Sequence, residues 1–253
     1  MTRRRIVSAV VALGLVVLPH LTRTAAADEI TVLCSNGLKA VVEDLAPKFE
    51  GTTHHKLVVK YGLAASLRQR IKDGEAFDVA FVTPAVMDDL IADGRISRDT
   101  RATVARSGLA LAIRTGTRKP DIGTADAFKR ALVNAKSIAY AKEGASGVLF
   151  AALIQRLGIA NDLQTKSRWT ATGEEVSAAV VKGDVEYGVL PLSEILPVKG
   201  EEPVMFPADV QSYIVMVGGV SAASRHADAS RALIKYLTAP ATLPVLKAKG
   251  MER

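Results

Sequence analysis

The chain has 253 residues, of which 49% are hydrophobic and 23% charged. That balance excludes a disordered polymer and allows one large domain or two of ordinary size with real cores. The net charge of +7 does not make a polyanion-binding surface: Arg3, Arg4, Arg5 and Arg23 fall in the first 27 residues, and the remainder holds 29 basic against 26 acidic residues. A single cysteine, Cys34, excludes an internal disulfide and any multi-thiolate metal site.

The excess charge belongs to the N-terminus. Residues 1–5 are basic, residues 6–18 form an apolar run of thirteen, and Ala25-x-Ala27 offers small residues where a signal peptidase reads. This is the pattern of a secretory signal, and thirteen residues are too few to span a bilayer. Residues 1–27 are therefore expected to be removed, leaving a chain that starts near Asp28 and resides in the periplasm.

Beyond the signal, β-rich runs alternate with helical periods. Residues 30–33 read as a strand, and residues 38–49 as a helix with apolar positions 38, 41, 42, 45, 46 and 49 on one face. A strand is expected at 56–61, a helix at 64–72, a strand at 77–82 and a helix at 85–92. Residues 107–115 and 210–220 read as two long strands. Between them lie strands at 137–140, 167–169 and 187–191 and helices at 147–157 and 174–182, the last opened by the capping-box pair Thr172 and Glu175. One more helix is expected at 227–237. Strands separated by helices of about ten residues imply parallel β-α-β units. The expected division is one lobe from residues 28–112 plus 212–253, and a second from 113–211, joined by the two long strands.

Four turns share one form: a strand ends, a small polar or glycine-rich stretch follows, and a helix begins. They are Ser35-Asn36-Gly37, Gly62-Leu63-Ala64-Ala65-Ser66, Gly144-Ala145-Ser146-Gly147 and Thr170-Ala171-Thr172-Gly173. Unpaired N–H groups at a helix start, with the positive end of the dipole, suit an anion. In open α/β sheets, ligands sit beyond the carboxyl ends of the strands. The four turns are thus expected to face one cleft.

Enzyme patterns are weak. Gly144-Ala145-Ser146-Gly147-Val148 lacks the final glycine of a nucleophile elbow. The adjacent pair His54 and His55 has no partner at metal-ligand spacing and reads as solvated surface, as does Asp88-Asp89. Cys34 reads as a buried strand-end thiol. Arg68 and Arg70 are surface residues unless one points into the cleft, where it would pair with a carboxylate ligand. No catalytic residue, metal or cofactor is expected.

Three stretches carry a resemblance: Ile30-Thr31-Val32-Leu33-Cys34-Ser35-Asn36-Gly37-Leu38, Val59-Lys60-Tyr61-Gly62 leading into Ser66-Leu67-Arg68-Gln69-Arg70-Ile71, and Phe77-Asp78-Val79-Ala80-Phe81-Val82-Thr83. Together with residues 139–147 and 174–190 they resemble the periplasmic molybdate-type solute-binding proteins of ABC importers. The resemblance implies an α/β, two-lobed, type II periplasmic-binding fold, each lobe a mixed sheet flanked by helices, with two crossover hinge strands. It implies a small anion held in the cleft by lobe closure, an inner-membrane ABC permease as partner, and no enzymatic activity. A monomer without affinity for nucleic acid is expected.

The ligand residues that the resemblance implies carry over in part. Its first serine falls on Gly37 and its second on Ala64, with Ser66 nearby; main-chain contacts fall on Ser146 and Val176, and its tyrosine falls on Pro191. With Ser35, Asn36 and Arg68 as further polar candidates, these nine positions form the expected site. Three hydroxyl donors are missing, so an organic carboxylate is the alternative to a tetrahedral oxyanion. A secreted hydrolase and the ligand-sensing half of a regulator are the less favoured classes.

Overall fold

A computed structural model describes residues 27–253. The signal reading of residues 1–27 lies almost wholly outside them. Nine strands form one continuous order, β2-β1-β3-β9-β4-β7-β5-β6, with β8 also paired to β4.

The first part is a β-α-β run. It comprises β1 (Glu29–Ser35), α1 (Lys39–Thr53), β2 (Lys56–Gly62), α2 (Ala64–Lys72), β3 (Val79–Val82) and α3 (Pro84–Ala92). β1 pairs in parallel with both β2 and β3. The helical period over residues 38–49 becomes the buried face of α1, where Val41, Val42, Leu45 and Phe49 pack. His54 ends α1 in the left-handed region at φ 62. His55 departs from the solvated reading: its imidazole is half-buried, stacks against Phe49 and accepts from the Asp28 N–H.

β4 (Ala102–Arg114) is the long strand expected near residue 107, but it begins five positions earlier. Its two halves have different partners. Residues 102–108 pair antiparallel with β9 (Tyr213–Val220), whereas residues 109–114 pair with β7 (Tyr187–Pro191) and β8 (Glu201–Met205). The switch falls between Gly108 and Leu109, upstream of the boundary expected at residue 112. The chain returns through residues 206–212, which hold a 3-10 turn at Ala208–Val210 before β9.

The second part contains α4 (Ala125–Asn134), β5 (Ile138–Ala141), α5 (Ala145–Arg156), α6 (Ala160–Leu163), β6 (Ser167–Thr170), α7 (Gly173–Lys182), β7 and α8 (Leu192–Ile195), ending in β8. β5 runs parallel to β6 and β7. The chain closes on the first part with α9 (Ala227–Leu237) and α10 (Leu243–Ala248). Helices cover both sheet faces in each half. One core lies under α2 and α3, another under α7, and the largest runs beneath α1, α5 and α9. Among the described residues no helix is long and apolar enough to cross a membrane.

Candidate functional site

The four turns meet. A narrow pocket of about 30 Å³ is lined by Ser35, Asn36 and Gly37 after β1 and by Leu63 and Ala64 at the start of α2. Gly144, Ala145 and Ser146 at the start of α5 complete it with Gly173 at the start of α7. Pro191, Ile214 and Met216 form its floor at the ends of β7 and β9, and Glu194 closes one side. Every helix involved begins at the carboxyl end of a parallel strand, the position that the strand–turn–helix pattern dictates.

Local chemistry leaves these helix starts open. The residues before the turn after β1, before α2 and before α5, namely Ser35, Leu63 and Gly144, are extended, and no side chain caps the N–H groups that follow. Only α7 is capped: Thr172 Oγ1 accepts from the Glu175 N–H at 3.2 Å, and Glu175 Oε2 accepts from the Ala171 N–H at 2.9 Å. The capping box expected from Thr172 and Glu175 is thus present, with its return bond one residue upstream. Gly147 allows α5 to begin so close to β5, because a Cβ there would collide with the Ala141 carbonyl oxygen.

Two serines give the pocket its polar walls. Ser35 and Ser146 are each only 6% exposed, and both line the pocket. Hydroxyls placed at the pocket from both lobes can hydrogen-bond a ligand there.

Three expected residues lie elsewhere. Arg68 is tied to Asp89 at 2.5 Å on the outer surface, and Arg70 to Glu75 at 2.5 Å. Ser66 is exposed on α2. Val176 is fully buried in the core beneath α7, and its N–H is already directed at the Thr172 carbonyl oxygen, 3.4 Å away. In α7 it is Gly173, its first residue, that lines the pocket. Ser35, Asn36, Gly37, Ala64, Ser146 and Pro191 do line it. The histidines do not: His55 and His226 both lie against Asp28, with His226 Nδ1 2.9 Å from Asp28 Oδ1.

Glu194 went unseen in the sequence. It sits on the single turn α8, and its carboxylate lies so close to Gly173 that a Cβ there would overlap Oε2. A wider outer cavity of about 250 Å³ continues past it, lined by Lys39 and Glu43 of α1, Glu174 and Ser177 of α7, and Ser193. Lys39 Nζ reaches Glu174 Oε1 at 3.3 Å across this mouth, and the buried Ser193 hydroxyl donates to the Gly37 carbonyl oxygen at 3.0 Å. Burial, with the nearby charges of Glu174 and Glu201, pushes the Glu194 carboxyl up to about 7 against the opposing pull of Lys39. Below the cavity, Glu201 accepts from Ser177 Oγ at 2.9 Å through one oxygen, while its other oxygen is buried without a partner. Burial pushes it, too, up to about 7. Cys34 is fully buried, and burial holds its thiol far above the usual range, which removes it as a nucleophile.

Known proteins resemble this chain in sequence and in fold. An aconitate isomerase of a Pseudomonas species is 31% identical over 230 residues, covering 88% of this chain and 87% of that one. The molybdate-binding protein ModA of Azotobacter vinelandii is 25% identical over 230 residues, covering 89% and 90%. The solved periplasmic molybdate-binding protein of Azotobacter vinelandii superposes with a TM-score of 0.76 at 18% identity, covering 88% of this chain and 99% of that one. Residues 30–252 match the family model of the bacterial extracellular solute-binding proteins, and the chain belongs to that family, with the type II periplasmic-binding fold of its molybdate-type members.

Proposed function

We propose that this protein is a periplasmic receptor that captures a small organic carboxylate between its two lobes and presents it to an ABC permease. The observation that carries the reading is the convergence of three uncapped helix starts and two serines, Ser35 and Ser146, on one pocket. Backbone N–H groups and helix dipoles favour negative charge there. Lobe closure about the two crossings, near Leu109 and residues 206–212, would bury the ligand between them.

Two features favour a carboxylate over a tetrahedral oxyanion. Gly37, Ala64 and Pro191 stand where the resemblance puts hydroxyl donors, and each missing donor removes on the order of 1 kcal/mol or more of binding. Glu194 also places an acidic group beside the pocket, which opposes a compact dianion but can share a proton with a carboxylate. The relative named an aconitate isomerase is consistent with an organic acid. Calorimetric titration with citrate, cis- and trans-aconitate, molybdate, tungstate and sulfate tests the reading. A polycarboxylate is expected to bind at least about tenfold more tightly than molybdate; sub-micromolar molybdate binding that disappears in Ser35→Ala would overturn it.

A second reading, that the bound acid is also converted, is favoured by that same relative together with the ionisable group of Glu194 in the pocket wall.

A further inference from the structure

Glu194 is out of place in a site built only to hold an anion. It follows Pro191 by one turn, where β7 ends, and its two carboxylate oxygens lie between the first turn of one lobe and the start of α7 in the other. Oε2 abuts Gly173, and Oε1 is 3.8 Å from where a Cβ of Gly37 would sit. Gly173 is needed for this approach, since a side chain at residue 173 would displace the carboxylate. Glu194 lines both the inner pocket and the outer cavity, so its oxygens are within reach of a molecule in the cleft. The charged groups around it are Glu174 on α7, Glu201 on β8 and Lys39 on α1, two acids against one base. Such a carboxyl holds its proton weakly enough to lose it and strongly enough to take it near neutrality.

The rest of the pocket supplies the opposite charge. The starts of α2 and α5, helices of 9 and 12 residues with no side chain capping their first N–H groups, border the same space, and Ser35 and Ser146 line it. That environment stabilises negative charge spread onto a carboxylate while a neighbouring carbon is deprotonated.

We propose that Glu194 is the proton-transfer residue for an unsaturated polycarboxylate bound in this pocket, moving a proton between the two ends of an allylic three-carbon unit. The C–H bond of a methylene next to a carboxylate breaks, and its proton passes to a Glu194 carboxylate oxygen. The electron pair delocalises over the three carbons and the attached carboxylates. A new C–H bond forms at the far carbon with the proton returned by Glu194, leaving the double bond one position along and its geometry free to change. Nothing is oxidised or reduced, and no co-reactant is consumed. The inference rests on the second reading above.

The test uses trans-aconitate as the probe. The protein, secreted and processed by its host, is incubated with it in D2O, and proton NMR follows deuterium entry at the methylene carbon and appearance of the cis isomer. Calorimetry on the same samples reads binding. The wild-type protein is expected to bind the probe and exchange, with an apparent midpoint near pH 7. Glu194→Gln is expected to bind within about threefold of wild type yet exchange at least about a hundredfold more slowly. Glu194→Asp is expected to retain measurable exchange, and circular dichroism of both variants shows that they fold. Wild-type protein that binds without exchange, or Glu194→Gln exchanging at the wild-type rate, would overturn the inference while leaving the carboxylate reading standing. Failure of the wild-type protein to bind any polycarboxylate would overturn both.

Discussion

The side-chain amide of Gln211 holds both main-chain groups of Leu109: its Oε1 accepts from the Leu109 N–H at 2.8 Å, and its Nε2 donates to the Leu109 carbonyl oxygen at 3.1 Å. Leu109 is the residue at which β4 changes partners, and Gln211 lies in the returning segment before β9. The two connections between the lobes are thus pinned to each other at one point. The same Oε1 also accepts from the Ser212 N–H at 2.9 Å, so this one amide organises the return turn as well.

Replacing Gln211 by Ala leaves the paired groups at Leu109 dependent on the main chain alone. The expected loss is about 1–2 kcal/mol of unfolding free energy, read by denaturant titration. If the pair also sets the hinge, small-angle scattering of the unliganded variant will give a larger radius of gyration than the wild type. An unchanged stability and profile would show that the remaining bond from the Leu109 N–H to the Ser212 carbonyl oxygen suffices.

Glu201 makes stability depend on pH in a direction opposite to that of an ordinary ion-paired acid. Its carboxyl is pushed up to about 7 from 4.5 because it is buried beside Ser177 with one oxygen unpartnered. Between those values the folded protein holds a proton that the unfolded chain has released, so stability falls as pH rises from 4.5 to about 7 and levels off above. Glu194 acts in the same sense. Thermal unfolding across this range is expected to show a decline of about 1–3 kcal/mol from Glu201, and Glu201→Gln, which keeps the acceptor for Ser177, is expected to remove that share. Glu75, held down to about 2 by Arg70 and Lys60, contributes only at lower pH, where stability is lost as pH falls through its range.

Much of the fold was legible because its signals are local. The strand at residues 187–191 and the helix at 227–237 coincide with β7 and α9, and the periods of α1 and α2 placed those helices to within a few residues. The four site turns could be read because strand, small residues and helix follow one another in sequence. β4 was expected too short: Arg106 interrupts its apolar run, yet it is an exposed strand residue paired to Glu252. Glu194 had no signal, since α8 is a single turn and four residues cannot display a helical period. Nor can sequence spacing show that Asp89 and Glu75 draw Arg68 and Arg70 away from the pocket.

Arg68→Ala is therefore expected to leave carboxylate affinity within about twofold of wild type. The Arg68–Asp89 pair is exposed on both sides, so its removal is expected to change stability by no more than about 1 kcal/mol. A tenfold loss of affinity by calorimetry would mean that the arginine swings into the cleft when ligand binds.

Ser35→Ala and Ser146→Ala test the pocket from its two lobes. Both residues are 6% exposed and line the pocket, so each hydroxyl can bond the ligand. A hydrogen bond to a charged ligand contributes about 1.5–3 kcal/mol, which predicts an affinity loss of roughly tenfold to a hundredfold for each substitution. The stability of the unliganded protein is expected to change by no more than about 1 kcal/mol, because each substitution removes a single oxygen atom at the pocket wall. The two losses need not act alike in time. A ligand that first docks on one lobe meets that lobe's serine in the open state, and meets the other only after closure. One variant is then expected to slow association, and the other to leave association unchanged while raising the dissociation rate. Stopped-flow kinetics with the tightest-binding polycarboxylate reads both rates. Equal wild-type affinity in either variant would place that serine outside the ligand's reach and move the site toward the outer cavity around Lys39.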